Sequence, residues 1–207
     1  VDVVINKANQ TISWIPPAPI GYGTPLSDSQ LNATVAGVAG GSTPGTLTYT
    51  PGTEAILLPG THTLSVTAAE TANYLASSAT VPIVVNPYTS GGFLQPITTN
   101  RAFKQGSTIP IKWQVQDASG QVLTSLVAIS SLSVFGPNGV TLLYPGNNGS
   151  SGSTVLRNDD GQFIFNWHTK GFALGSYIIT VALVDGTTVT DTILLSKTGP
   201  ASGLGTS

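Results

Sequence analysis

The sequence predicts an all-β protein built as two β-sandwiches in tandem. Three observations carry that expectation. Short apolar runs with a period of two follow one another along the chain, separated by Gly, Pro, Asn and Asp. No stretch keeps the 3.6-residue period of an amphipathic helix. The composition is rich in Thr and Val, whose branched Cβ atoms suit a pleated sheet, while charged residues reach only 8% against the roughly 25% of ordinary soluble domains. At 207 residues the chain accommodates two domains of about 100 residues, the usual size of a β-sandwich, each able to bury a core.

The elements can be taken in order. TISWI (11–15), LNATVAG (31–37), GTLTYTP (45–51), EAILL (54–58), THTLSVTA (61–68) and ATVPIVV (79–85) read as strands of a first domain. Pro and paired Gly interrupt the pattern at NPYTSGG (86–92), which places a boundary near residue 90. FLQPITT (93–99), STIPIKWQVQD (107–117), QVLTSLV (121–127), SLSVFG (131–136), GVTLLYPG (139–146), GQFIFNWHT (161–169), SYIITVALVDG (176–186) and TTVTDTILLS (187–196) follow. The expected domains are therefore 1–89 and 90–198, with a Gly/Ser-rich tail at 199–207.

Alternation assigns faces. Ile109, Ile111, Trp113 and Val115 share one side of their strand, and Lys112, Gln114 and Gln116 the other. Phe163, Phe165 and Trp167 oppose Asn166 and His168 in the same way. Asp160-Gly161 and Asp185-Gly186 suit tight hairpin turns. The halves also echo each other: LLPGTHTLSVTA (57–68) and FALGSYIITVAL (172–183) each place a turn Gly two residues before a polar ring, His62 or Tyr177. In Ig-like domains a Tyr at this place ties down the corner before a core strand. Both rings are thus expected to be structural.

Longer motifs sharpen this reading. Ile12-Ser13-Trp14, Pro17-x-x-Ile20-x-Tyr22-Gly23-Thr24-x-Leu26, Gly45-x-x-x-Tyr49-x-Pro51 and Ala72-Asn73-Tyr74 make residues 11–86 resemble an Ig-like repeat found in tandem in large secreted and surface proteins of bacteria. The repeat has Thr where Ser13 stands. Gly106-Ser107-Thr108-Ile109-Pro110-Ile111-Lys112-Trp113 makes residues 93–197 resemble a second secreted bacterial module, marked by a Pro-x-Lys-Phe signature, with Trp113 in place of Phe. The resemblances imply two Ig-like sandwiches, secretion, and a role as spacer, accessory or adhesive unit without catalysis.

Charge narrows the partners. The net charge is −2, and seven scattered Lys and Arg supply neither a nucleic-acid footprint nor a basic membrane patch. No apolar stretch reaches the ~20 residues of a membrane-spanning helix, so membrane insertion is not expected. Cys and Met are both absent, which excludes disulfides, thiolate metal sites and thiol nucleophiles and suits exposure to oxidants outside a cell. With no initiator Met and no signal segment in the sequence, the chain reads as a processed or excised form. An extracellular or cell-surface location is the expectation.

No catalytic, cofactor or metal residue is assigned. His62 and His168 lack the spaced partners a metal needs. Asn158-Asp159-Asp160-Gly161 lacks the alternating acidic ligands of a calcium loop and reads as an Asx turn. Asp185, Asp191, Glu54 and Glu70 form no acid–base pair, no Gly-x-Ser-x-Gly elbow occurs, and Asn147–Gly152 reads as a loop tip. Trp14, Trp113 and Trp167 fall on apolar faces, leaving Tyr22, Tyr88 and Tyr144 as scattered candidates for a polysaccharide face. Lys112 sits on a polar face, unlike the buried lysine of an isopeptide crosslink. Asn9, Asn32 and Asn148 begin glycosylation sequons.

One segment remains. VDVVINK (1–7) is nearly a copy of VPIVVNP (81–87), the last strand of the first domain. It reads as an ordinary first strand, as the last strand of a preceding repeat, or as a donor that pairs with another subunit through Val1, Val3, Val4 and Ile5. An unpaired strand is a hazard in a monomer and a joint in a fibre. The expected function is a structural subunit of an extracellular assembly, whose partners are copies of itself or neighbouring domains. The alternative is an accessory module that binds polysaccharide or another surface.

Overall fold

The computed structural model describes residues 6–145 and 155–200, which divide into two compact units meeting in sequence at Pro87 and Tyr88. Both are built from strands, and the protein is all-β, two Ig-like β-sandwiches in tandem.

In the first unit the strands are β1 (Thr11–Ser13), β2 (Ile20–Gly21), β3 (Thr34–Ala36), β4 (Leu47–Thr50), β5 (Gly60–Ala68) and β6 (Ser77–Asn86). One sheet has the order β2-β6-β5-β4, and β1 pairs with β3 in a second. The period of two decides the faces. Leu64, Val66, Ala68, Val81, Ile83 and Val85 are buried, while Thr63, Thr67, Thr80 and Val84 between them are exposed. Leu26, Leu31, Leu64, Val81 and Ile83 form the core cluster, with Trp14, Ile20 and Tyr49 packed against it. The Trp14 ring meets Tyr49 edge-on at 5.4 Å, and its indole N–H donates to the Gln30 carbonyl at 3.1 Å.

EAILL forms no strand. Glu54 takes a left-handed φ of 65°, and this segment pairs irregularly with Leu26, whose N–H donates to the Ala55 carbonyl at 2.9 Å. Leu57 still reaches the core, so the apolar residue is used without the extended backbone.

The second unit contains β7 (Phe93–Leu94), β8 (Arg101–Lys104), β9 (Thr108–Trp113), β10 (Ile129–Gly136), β11 (Gly139–Tyr144), β12 (Arg157–Asp159), β13 (Gln162–His168), β14 (Gly175–Leu183) and β15 (Thr188–Ser196). Its sheets have the orders β11-β10-β14-β15-β8 and β12-β13-β9-β7. The two early strands, β7 and β8, thus go to different sheets, and β8 runs parallel to β15. The predicted faces of β9 and β13 hold: Ile109, Ile111, Trp113, Phe163, Phe165 and Trp167 are all core. Trp113 stacks on Phe163 at 5.7 Å. Ile164 departs from strict alternation, being buried on the opposite side of β13.

QVLTSLV is also no strand. Ser125 caps a 3₁₀ turn over Leu126–Ala128, because its hydroxyl offers the backbone a partner that competes with a ladder. At the Asp160-Gly161 turn both residues have positive φ, 48° and 77°, as a two-residue hairpin of matching twist requires. At the other hairpin only Gly186 does, at 88°.

Candidate interaction surface

Several of the polar residues singled out in the sequence are bonded into the fold of their own unit. The His62 ring bonds through Nε2 to the Leu58 carbonyl at 2.6 Å, and the Tyr177 hydroxyl donates to the Ala173 carbonyl at 2.9 Å. Each partner lies four residues upstream, across a glycine of positive φ (Gly60 at 128°, Gly175 at 140°) that a side chain would strain. The same corner is therefore built twice, with different rings.

His168 Nδ1 pairs with the Thr108 hydroxyl at 2.7 Å. The Asp185 carboxylate accepts from Tyr88 N at 2.6 Å, from Thr187 N at 2.9 Å and from the Thr187 hydroxyl at 3.0 Å. Asp191 accepts from the Thr192 N–H, Glu70 pairs with Lys7, and Asn158 Oδ1 accepts from Gly161 N at 3.1 Å. Among the described residues no group of three His, Cys, Asp or Glu side chains could hold a metal ion.

Two side chains have displaced titrations. The Ser119 hydroxyl, followed by the Gln121 N–H, holds the Asp117 carboxyl below its ordinary value, because both bonds favour the charged form. Burial pushes the Tyr177 phenol up. Both belong to a turn and a corner.

The aromatic candidates also turn inward. Tyr88 and Tyr144 pack against the core of the second unit, and Tyr22 is half-buried. Lys112 is half-buried on the non-core side of β9. Of the sequon asparagines, Asn9 and Asn32 are exposed, and Asn148 lies outside the described residues. So do Val1, Val3, Val4 and Ile5. The chain just after them is fixed in its own unit: Ala8 bridges Tyr74 in parallel fashion, donating to the Asn73 carbonyl at 2.8 Å and accepting from Leu75 N at 2.9 Å. The adjoining Gln10 is buried. Its amide donates to the carbonyls of Ala69 and Leu75 and accepts from Gly45 N.

A surface emerges where the sequence reading placed none. On the outer face of the five-stranded sheet, Phe135 of β10 stands between Val140 of β11 and Ile178 of β14. These three side chains are 54%, 71% and 42% exposed, and Leu142, in the adjoining row, 46%. Strand β11 is the rim of that sheet, and Ile129–Tyr144 contains no charged residue. The available signal was this uncharged run, since soluble proteins blunt sheet rims with Lys, Pro or bulges. A bulge does occur, but late: Leu132 faces Tyr144 and Ser133 faces Leu142, so Leu143 is the extra residue and Gly139–Leu142 stay regular.

No protein-family model matches the chain, and no curated protein matches its sequence. Solved structures do resemble it in fold. A chimeric titin Z1Z2 tandem is 15% identical, over 90% of this chain and 97% of the other, at a TM-score of 0.32. The I67–I69 fragment of the titin I-band is 11% identical, over 92% and 66%, at 0.36. Domains 4 and 5 of the S-layer protein SbsC are 15% identical, over 68% and 67%, at 0.31. These likenesses add nothing on function.

Proposed function

We propose that the chain is a non-catalytic structural subunit of an extracellular assembly, joined head to tail by residues 1–7 of one copy pairing with the next. The observation that carries this is the fate of the segment's near copy. VPIVVN (81–86) is the second half of β6, with Val81, Ile83 and Val85 buried against the core and Pro82, Val84 and Asn86 exposed. Aligned residue by residue, Val1, Val3 and Ile5 stand where those three buried side chains stand. The segment thus carries the side chains of a core strand. Head-to-tail pairing does not close on itself, so it grows filaments.

The extracellular placement draws on the absence of Cys and Met and on the resemblance of both halves to secreted bacterial modules. A polysaccharide-binding accessory role would call for coplanar exposed aromatics. Among the described residues, Phe135 is the aromatic that stands out among the exposed large apolar side chains. Negative-stain microscopy of the full chain beside a chain lacking residues 1–7 tests the proposal. Filaments from the first and none from the second are expected, and monodisperse particles from both would sink it.

A further inference from the structure

We infer that the strand slot entered by residues 1–5 of one copy is the outer rim of β11 in the next. This inference rests on the head-to-tail reading and names its acceptor. The other sheet rims fit less well. Strand β8 carries Arg101 and Lys104, and β12 carries Arg157 and Asp159. Strands β2 and β7 have only two residues each. Strand β4 is uncharged, but its exposed positions are Thr48 and Thr50, which leave no apolar surface to cover. Strands β1 and β3, the rims of the two-stranded sheet, have only three residues each; among the described residues, β11 is the six-residue uncharged rim with exposed apolar neighbours.

The match extends to length and pattern. Five extended residues span about 17 Å, enough to run along the regular stretch Gly139–Leu142. On the outer face the incoming Val3 continues the row of Val140, Phe135 and Ile178, and Val1 and Ile5 share its side of the strand. Asp2 and Val4 then fall on the other side of the incoming strand. Val4 lies beside Thr141. With no charge over Ile129–Tyr144, nothing there repels Asp2. The rim supplies the backbone hydrogen bonds, and the alternate side chains set the register.

The chain contains no Cys, so disulfide trapping reads this contact cleanly. A Val3→Cys chain mixed with a Val140→Cys chain should give a reducible covalent dimer, and the double variant a reducible ladder. Val3→Cys mixed with Thr48→Cys, at the β4 rim, should give none. Val140→Lys with Leu142→Lys places charge only at exposed positions. This variant should keep its circular dichroism and melting temperature and lose the ability to grow filaments. Filaments that persist while Val3→Cys couples to Thr48→Cys, or to neither site, would overturn the acceptor and leave the head-to-tail reading standing. A Val140→Cys chain that crosslinks to itself would overturn it in favour of rim-to-rim dimers. If the native chain fails to assemble, both readings fall.

Discussion

His62 and Tyr177 do the same work with different chemistry. Each ring returns a hydrogen bond to the carbonyl four residues upstream and so fixes how the chain turns into a core strand. Tyr177→Phe keeps the ring and removes the bond, leaving the Ala173 carbonyl without it. The expected loss is about 1 kcal/mol, read by urea unfolding. His62→Ala should cost the first unit a similar amount, and His62→Tyr should restore it.

The same residue gives a pH dependence. Burial raises the Tyr177 phenol in the folded state, so its contribution is complete below the unfolded value of about 10 and is lost as pH rises through the folded one. Stability should fall on the alkaline side, and Tyr177→Phe should show a shallower fall despite starting lower. An unchanged slope would rule out Tyr177 as its source.

At the scale of elements, the approach of β10 to β14 is set by what Gly136 lacks. A Cβ there would come within 2.1 Å of the Tyr177 ring, so Gly136→Ala should cost about 1–3 kcal/mol by overpacking, measured as a shift of the second unit's unfolding midpoint. Trp113 makes a contrasting case. Its indole N–H is buried without a hydrogen-bond partner among the described residues, so Trp113→Phe trades lost volume against a relieved polar group. It should cost well under the roughly 3–5 kcal/mol of a Trp→Ala truncation.

Strands β9 and β13 were readable in the sequence because burial on one face writes itself as a period of two. EAILL and QVLTSLV were not. Their apolar residues also reach or flank cores, but Glu54 adopts a left-handed turn and Ser125 caps a 3₁₀ turn. A short apolar run reports burial, and its backbone conformation is decided by such neighbours. The outer row of Phe135, Val140 and Ile178 was illegible for a different reason. These residues lie on three strands, and only the pairing of those strands makes them adjacent.

On the scale of the molecule, the two units are unequally provisioned. Among the described residues, the core cluster of the second holds twenty buried side chains and that of the first five. Calorimetry should therefore show two transitions, the lower belonging to the first unit. Leu64→Ala should move that lower transition alone, by an amount in keeping with the roughly 2–5 kcal/mol of a core truncation. With charged residues at 8% and an uncharged rim, assembly should also be nearly indifferent to ionic strength. Filament yield that collapses in high salt would point to a charged contact elsewhere.

Each unit pairs an early strand in parallel with its last one, β2 with β6 and β8 with β15. Pulling a parallel pair by opposite chain ends drags the strands past each other along their length, so the bonds between them share the load and yield together. Rungs peeled from an antiparallel hairpin give way one by one. In a thread under tension, the β8–β15 contact would let the second unit act as a link that holds its length until a threshold force is reached.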